Sequence, residues 1–255
     1  MTEAKGMAVA EVSRSFFGVQ LRYADALSAK ARIPLAEAIT FHTNFHRLFA
    51  YGNLGKMQPD ETFISLAREA TAIADPNKRL DLFIAAFADR PLDPWPSDRF
   101  PFGPHFACEA PNEAGTVRIH FRNRYNRDAV GPLDISNVAR RRAELAEMIA
   151  FIARRWPEAK TVNGASWLYN TESYRRLFPA EFAASRAPFA GPRSTHGLST
   201  WGQFVNFRGA VKPTIAEAFI HNLESLDPAQ PWFVFPHQVL TTTAAFETFR
   251  REYGV

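Results

Sequence analysis

The stretch Val162-Asn-Gly-Ala-Ser-Trp-Leu-Tyr-Asn-Thr-Glu-Ser-Tyr-Arg-Arg-Leu-Phe-Pro179 joins two different patterns. Its first part, Val162 to Tyr169, is rich in small, β-branched and aromatic residues, which predicts a strand. Its second part, Thr171 to Phe178, predicts a short amphipathic helix that ends at Pro179. A strand that leads directly into a helix is typical of sheets that bind ligands where their strands end.

Hydrogen-bonding side chains gather at this junction. In a strand, Trp167 and Tyr169 would project to the same side, and Asn170 and Tyr174 would follow at the carboxyl end. We interpret these residues, together with Ser166, as one wall of a substrate pocket. The same residues also fit an aromatic seam between a sheet and a helix, in which every hydroxyl is hydrogen-bonded.

The composition predicts a folded globular chain. Of its 255 residues, 46% are hydrophobic and 22% are charged, enough to bury a core in one large or two small domains. The formal net charge is +4, with arginines concentrated in the segments 118–127 and 140–142. Because this excess is small, an ordinary solvated surface explains it, and nucleic acid is not expected as a partner.

The sequence predicts a soluble cytoplasmic protein. Cys108 is the single cysteine, so no intrachain disulfide can form, which favours a reducing compartment. The first residues lack the apolar run of a signal peptide. No segment approaches the roughly 18 apolar residues of a membrane-spanning helix. We therefore expect no contact with a membrane.

Two types of pattern divide the chain into regions. Residues 1–90 predict a helical N-terminal subdomain, and residues 91–114 predict a proline-rich connection packed on the surface. Residues 115–255 predict an α+β domain, a mixed sheet flanked by helices. The segment 116–124 predicts its first strand, because apolar and basic residues alternate there.

Further elements follow from helical periodicity, capping residues and β-rich runs. The predicted helices are one that contains Phe16–Leu27, one from Pro34 to Phe49, two that begin at Asp60 and at Asn77, one from Ser136 to Trp156, one that begins at Pro213 and one from Thr243 to Tyr253. Further strands are predicted at Gln203–Phe207 and Trp232–Phe235.

Two groups of histidines are candidates for chemistry. His42 and His46 are four residues apart on a predicted helix, a spacing that can bring two imidazoles to one metal, although a packed core pair is the simpler interpretation. We therefore predict no metal site and keep a metalloenzyme as an alternative. His120 lies between Arg118 and Arg122 on the polar side of a strand, where it can serve as a base or lie on a solvated surface.

Several catalytic motifs are absent. Ser166 does not lie in a Gly-x-Ser-x-Gly elbow, and Cys108 has no signature of a catalytic thiol, so a buried apolar cysteine is expected. The chain contains neither Gly-x-Gly nor Gly-Lys-Ser/Thr, which argues against a dinucleotide fingerprint or a phosphate-binding P-loop.

The order of motifs from Val117 onward nevertheless resembles a known arrangement. A strand with Ile119-His120 leads to Val130-Gly-Pro-Leu133 and a long helix that ends at Pro157; the strand with Ser166-Trp167-Leu168, the segment Leu177-Phe178-Pro179 and Trp201-Gly-Gln-Phe204 follow. Over roughly residues 115–240 this order resembles the GNAT-like acyltransferase-type proteins of bacteria. The resemblance implies a GNAT-like mixed sheet in which two splayed parallel strands hold the arm of a coenzyme A thioester.

The resemblance also implies roles for individual residues. Tyr174 would be the general acid, and Glu172 or His120 the general base, in the transfer of an acyl group to an amine of a small molecule. The implied substrate-binding residues are Trp167, Tyr169, Asn170, Ser166, Trp201 and Gln203. The Gln/Arg-x-x-Gly-x-Gly/Ala loop that holds the pyrophosphate in such enzymes is missing, and the segment 130–134 stands in its place.

That missing loop supports a second hypothesis. The protein can be a non-catalytic ligand-binding or regulatory protein that keeps the fold without the cofactor. A cleft filled by side chains would favour this interpretation over an enzyme.

Overall fold

The structure, a computed structural model, consists of helices and one mixed sheet. It describes residues 2–49, 58–88, 99–123, 129–190 and 195–255, with side chains of the first helix from residue 14 onward. Two compact units are present, one formed by Met1–Pro94 and Pro192–Gln238 and the other by Trp95–Gly191 and Val239–Val255. The prediction of an α+β chain is confirmed. The division differs from the predicted one, because the helical unit also takes in residues from the second half of the chain.

The helical unit buries a core rich in phenylalanine. Its α-helices are α1 (Thr2–Ala31), α2 (Leu35–His42), α3 (Phe45–Phe49), α4 (Glu61–Ala72), α5 (Pro76–Ala88), α9 (Leu198–Trp201) and α10 (Pro213–Asn222). The predicted apolar stripe of α1 is confirmed, since Phe16, Tyr23 and Leu27 are all buried. Asp60 caps α4 as predicted, because its carboxylate accepts a hydrogen bond from the amide of Phe63. No helix within the described residues is both long and apolar enough to cross a bilayer.

The prediction of one continuous helix from Pro34 to Phe49 is wrong. The helix α2 stops at His42, and Thr43 takes an extended backbone conformation. The hydroxyl of Thr43 donates to the carbonyl of Ile39, so a side chain satisfies an acceptor at the helix end. A new helix then begins at Phe45.

Two predicted strands are short 3₁₀ helices instead. Gly202–Phe204 replaces the start of the strand predicted at residues 203–207, and Pro231–Val234 replaces the strand predicted at residues 232–235. Both aromatic runs pack rings into the core of the helical unit, as Phe204 and Phe235 show. Tertiary packing therefore overrides the β-propensity of these short runs.

The second unit is built around a six-stranded sheet in the order β1-β2-β3-β4-β6-β5. Its strands are β1 (Arg99–Phe102), β2 (Phe106–Glu109), β3 (Thr116–Phe121), β4 (Thr161–Ser166), β5 (Ala187–Pro188) and β6 (Leu240–Ala245). The pair β3 and β4 is parallel, and the other neighbours are antiparallel. Prolines occur in both outer strands, Pro101 in β1 and Pro188 in β5.

Helices cover one side of this sheet. Besides α6 (Val138–Arg155), which connects the two parallel strands, they are α7 (Glu172–Arg175), α8 (Ala180–Ala184) and α11 (Phe246–Tyr253). The apolar stripe of α6, with Leu145, Ile149 and Ile152, lies in the same core as Val117 and Val162 of the sheet. The predicted last helix begins at Phe246 rather than at Thr243, since residues 243–245 complete β6.

Candidate functional site

The two parallel strands pair over only half of their length. Thr116, Val117 and Arg118 of β3 pair with Thr161, Val162 and Asn163 of β4, and pairing between the described residues of these strands ends there. Beyond this point β3 continues to pair with β2, and β4 continues to pair with β6. The pairing between the two strands therefore has a gap at their carboxyl ends, which is where sheets of this kind bind ligands.

His120 lies on the diverging half of β3. Its Nε2 atom is 2.6 Å from Oε1 of Glu109 on β2. An ionised carboxylate can only accept hydrogen bonds, so Nε2 carries the ring proton and donates a hydrogen bond to Glu109. Nδ1 of His120 is then left with its lone pair, and the imidazole has the tautomer of a general base.

The protonation states fit this arrangement. Burial lowers the pKa of His120 below its ordinary value of 6.5, and the hydrogen bond to Glu109 offsets part of that effect. Burial alone would raise the pKa of Glu109, but the hydrogen bond from His120 and the positive charges of Arg118 and Arg99 lower it overall. At neutral pH the pair is therefore a neutral imidazole beside an ionised carboxylate.

Two further polar side chains lie on the same side of the sheet as His120. Arg118 precedes His120 by two residues and is exposed, and Asn163 stands opposite Arg118 in the parallel register. Residues two apart on a strand share a face. The Oδ1 atom of Asn163 is buried and makes no hydrogen bond within the described residues. This side thus offers a base, a cation and an unused acceptor next to the gap.

The opposite side of the same strands is closed by aromatic rings. Tyr169 is 1% exposed, and its hydroxyl lies where a Cβ atom on Gly164 of β4 would have to be. Gly164 is therefore required by the close approach of Tyr169, since any side chain would displace the ring. Burial raises the pKa of Tyr169 to about 12, so its hydroxyl stays protonated. Tyr169 is a core residue, not an accessible pocket residue as predicted.

Tyr174 occupies the core beside it. Its ring packs against Phe121, Tyr169 and Phe178, with centroid distances of 5.3, 5.1 and 4.9 Å. The side chain is 2% exposed, and burial raises its pKa well above 10. A hydroxyl sealed in this way does not reach a ligand, so the geometry does not support Tyr174 as general acid.

The other residues of the predicted junction shape its backbone. The predicted strand ends at Ser166, and Trp167–Asn170 forms a 3₁₀ helix, so Trp167 and Tyr169 do not share one side of a strand. Ser166 caps this turn by accepting from the amide of Leu168 at 3.1 Å, and Asn170 donates to the carbonyl of Trp167 at 2.7 Å. Trp167 is half-buried.

Glu172, the other predicted base, is exposed at the start of α7. This position leaves its carboxylate solvated. Among the described residues, no hydrogen bond or ion pair joins Glu172 to His120 or Glu109. Of the two residues predicted as the base, the geometry therefore favours His120.

Trp201 and Gln203 belong to the helical unit and not to the sheet. Trp201 is fully buried, packs on Tyr23 and Phe235, and donates its indole N–H to the carbonyl of Thr195. The amide of Gln203 donates to the carbonyl of His237 at 3.1 Å and accepts from its N–H at 2.8 Å. These contacts satisfy both side chains, so the predicted role in substrate binding is replaced by a structural one.

The structure also describes the surroundings of Cys108, which was predicted to be a buried apolar cysteine, and of the pair His42 and His46. Cys108 is fully buried, and burial raises the pKa of its thiol to about 12, so it is a protonated core residue. Among the described residues, no group of three or more His, Cys, Asp or Glu side chains is placed to hold a metal ion. His42 and His46 lie on different helices, which removes the spacing argument for a shared metal.

The start of α6 does not fit a pyrophosphate. Asp134 caps the short 3₁₀ helix Ile135–Asn137 that precedes α6, and its carboxylate accepts from the amide and the hydroxyl of Ser136 at 2.9 and 2.7 Å. The amide of Asn137 donates to the carbonyl of Asp134. A carboxylate therefore already takes the amide of Ser136 and places a negative charge where an anion would bind.

Sequence reasoning missed two members of the candidate site, Glu109 and Asn163. Glu109 lies within residues 91–114, which were predicted as a connection rather than as part of the sheet. Asn163 lies inside the predicted strand. Its neighbour across the sheet depends on long-range strand pairing, which the local sequence does not show. The alternation of β3 was the one available signal, since it already placed His120 and Arg118 on a common face.

Comparison with known proteins gives no information about function, so the assignment rests on the geometry of the site. No protein-family model, curated protein or solved structure matches this chain.

Proposed function

We propose that the protein is an acyltransferase-type enzyme that transfers an acyl group to an amine, with His120 as the general base. The observation that carries the proposal is the parallel pair β3 and β4, which separates beyond Arg118 and Asn163 with His120 at the open end. A GNAT-like enzyme is expected to hold the acyl donor between two such strands. The connection of these strands by the long helix α6 agrees with the same resemblance.

Each side chain of the site has a separate role in the proposed reaction. Nδ1 of His120 takes the proton from the acceptor amine while the amine nitrogen bonds to the acyl carbon and the leaving group departs with its electron pair. Glu109 holds the tautomer of His120 through the 2.6 Å hydrogen bond. The unused Oδ1 of Asn163 can accept an N–H of the amine. The positive charge of Arg118 favours an acceptor that carries a carboxylate.

The donor should be bound through its thioester arm rather than through its phosphates. Because the carboxylate of Asp134 takes the amide of Ser136 and carries a negative charge before α6, the nucleotide part of coenzyme A should add little affinity. We therefore expect acyl-pantetheine to bind about as tightly as the corresponding acyl-coenzyme A. Thermal-shift titrations with acetyl, malonyl and longer acyl thioesters of both carriers test this, since a ligand at a hundredfold excess over Kd stabilises by about 2.7 kcal/mol.

A matched pair of variants sharpens the titration. Ala165 precedes the end of β4 on the same side as Asn163, so Ala165→Phe should fill the gap and abolish the shift. Ala180→Phe adds the same ring at an exposed position of α8 and should leave the shift unchanged. If no acyl thioester raises the melting temperature of the unaltered protein, the proposed function is wrong.

A non-catalytic ligand-binding protein is the second candidate. The packing of Tyr169 and Tyr174 under the diverging strands and the capping role of Asp134 favour it, because both reduce the room and the donors available to a bulky cofactor. In that case a thioester or amine would bind without turnover, and His120→Gln would change neither binding nor any product yield. Product analysis by mass spectrometry after incubation with both substrates separates the two functions.

A further inference from the structure

A groove open to solvent runs between α1 and α10 in the helical unit. Its volume is about 680 Å³, which lies within the range of sites that hold small organic molecules. Its floor is formed by apolar side chains that belong to the core of this unit or pack against it, Val19, Leu80, Val211, Ala216 and Ile220. Because this floor is apolar, a ligand that fills the groove needs an apolar body.

Gly18 leaves the middle of α1 bare where this helix borders the groove. In the interior of a helix, glycine is less favourable than alanine because it loses more backbone freedom on folding. A Cβ atom at residue 18 would meet no other group within 4 Å, so packing within the protein does not require glycine there. The helix gives up stability at this position, and the space beside its backbone stays open to a ligand.

Each wall of the groove carries a charge without a partner. Arg22 lies on α1, one turn beyond Gly18, and Glu217 lies on α10; both side chains are exposed and line the groove. Within the described part of the chain, neither Arg22 nor Glu217 makes an ion pair or a side-chain hydrogen bond. Because they do not pair with each other either, both remain available to one ligand that lies between them.

The two walls of the groove differ in the sign of their charge. The cations that line it, Arg14 and Arg22, belong to α1, and Arg14 already pairs with Asp81 of α5. The carboxylates that line it, Glu217 and Glu224, belong to α10 and to the turn that follows α10. A ligand with a single charge would be attracted by one wall and repelled by the other, whereas a zwitterion complements both.

We propose that the groove between α1 and α10 binds a small zwitterion with a large apolar body, of which an α-amino acid with a bulky side chain is the simplest form. The guanidinium of Arg22 pairs with the ligand carboxylate, and the carboxylate of Glu217 pairs with the ammonium group. The apolar body lies on the floor of the groove beside Gly18 and supplies most of the affinity, since exposed ion pairs contribute little. The site lies in the helical unit and does not depend on the proposed acyl transfer.

The test is isothermal titration calorimetry of the whole chain, at one low ionic strength, with compounds that share a phenyl ring and differ in charge. Phenylalanine carries both charges, 3-phenylpropanoate lacks the ammonium group, and 2-phenylethylamine lacks the carboxylate. We expect saturable binding of phenylalanine and binding of each analogue that is at least about threefold weaker, as the loss of one exposed ion pair implies. Absence of phenylalanine binding, or equal affinity for all of these compounds, would overturn the proposal.

Two charge variants show which wall recognises which group. Arg22→Gln should weaken the binding of phenylalanine and 3-phenylpropanoate by roughly three- to tenfold and should not weaken that of 2-phenylethylamine. Glu217→Gln should weaken phenylalanine and 2-phenylethylamine to the same extent and should not weaken 3-phenylpropanoate. Glu69→Gln, on an exposed residue of α4, is the matched control and should change none of these affinities. Affinities that do not follow this crossed pattern contradict the proposed site.

A blocking variant locates the apolar body of the ligand. Because the space beside Gly18 is open, Gly18→Trp should fold and abolish phenylalanine binding, whereas Gly18→Ala should raise the melting temperature and keep binding. Ala72→Trp adds the same ring at the exposed end of α4 and should leave binding unchanged. Unchanged binding in a folded Gly18→Trp protein would show that the ligand lies elsewhere; if that variant does not fold, the charge variants decide. Dimerisation that Gly18→Trp abolishes, without phenylalanine binding, would identify a second copy of the chain as the occupant and overturn the proposal.

Discussion

The two sides of the strands β3 and β4 differ although they share one backbone. On one side Arg118, His120 and Asn163 leave a charge, a lone pair and an acceptor available. On the other side Tyr169 and Tyr174 are sealed in an aromatic core and stay protonated. Titratable aromatic residues near a strand end are thus poor indicators of chemistry when their hydroxyls are buried.

The difference has a simple physical origin. Tyrosine is large and apolar enough to fill a core once its hydroxyl has a partner, whereas a buried histidine paired with a carboxylate keeps one nitrogen available for proton transfer. The polar side should therefore control the chemistry, and the aromatic side should control stability. The following variants test that division.

The largest expected effect is on the polar side. His120→Gln keeps a polar side chain but removes the base, so acyl transfer should fall by about 10²- to 10⁴-fold while the melting temperature changes little. His221→Gln, on an exposed residue of α10, is the matched control and should retain full activity. The rate is measured by product formation with saturating substrates. If the His120→Gln enzyme is fully active, His120 is not the general base.

A second variant tests the aromatic side. Gly164→Ala places a methyl group where the Tyr169 hydroxyl lies, and such overpacking costs about 1–3 kcal/mol. Urea unfolding measures this loss. In the background of Tyr169→Phe, which removes the overlapping oxygen, the cost of Gly164→Ala should be clearly smaller. Equal costs in both backgrounds would show that the close approach of these residues does not determine stability.

The pH dependence distinguishes the base from its partner. Because burial lowers the pKa of His120, the rate should hold at neutral pH and fall only below pH 6.5, where the imidazole becomes protonated. Glu109 raises that pKa through its hydrogen bond, so Glu109→Gln should move the acid limb of the profile to lower pH. The plateau rate should also fall, since the tautomer is less firmly held. An unchanged profile in Glu109→Gln would contradict the pairing.

The smallest effect is expected for Tyr174→Phe. Loss of one buried hydroxyl that interacts with Tyr169 should cost about 1 kcal/mol of stability and leave the rate unchanged. Comparison of both quantities with those of His120→Gln is the measurement. A large loss of rate with an intact fold would restore Tyr174 as the general acid and remove the distinction between the two sides.

Local patterns in the sequence predicted part of this molecule. The alternation of β3 and the apolar stripe of α6 were readable, because period and amphipathicity are properties of a single segment. The strand β6 was not, since Leu240-Thr-Thr-Thr-Ala-Ala245 lacks a hydrophobic face. Its core-facing Thr242 sits opposite Gly164, where small side chains accommodate Tyr169. That requirement comes from another segment of the chain.

The candidate site was predictable only in outline. His120 was identified from its own strand, but its carboxylate partner depends on the pairing of β2 with β3. Trp201 and Gln203 were assigned to the pocket by the resemblance, whereas they fold into the helical unit. The break at Thr43 could not be foreseen either, because a hydroxyl bonded to the Ile39 carbonyl is an ordinary feature inside many helices.

The prolines in the outermost strands have a consequence for self-association. Pro101 in β1 and Pro188 in β5 lack the backbone N–H that a neighbouring molecule would need to add a strand. Open sheet borders are common starting points for fibrils and for unintended dimers. Because both borders of this sheet are interrupted in this way, the folded protein should tolerate high concentration without growing by strand addition.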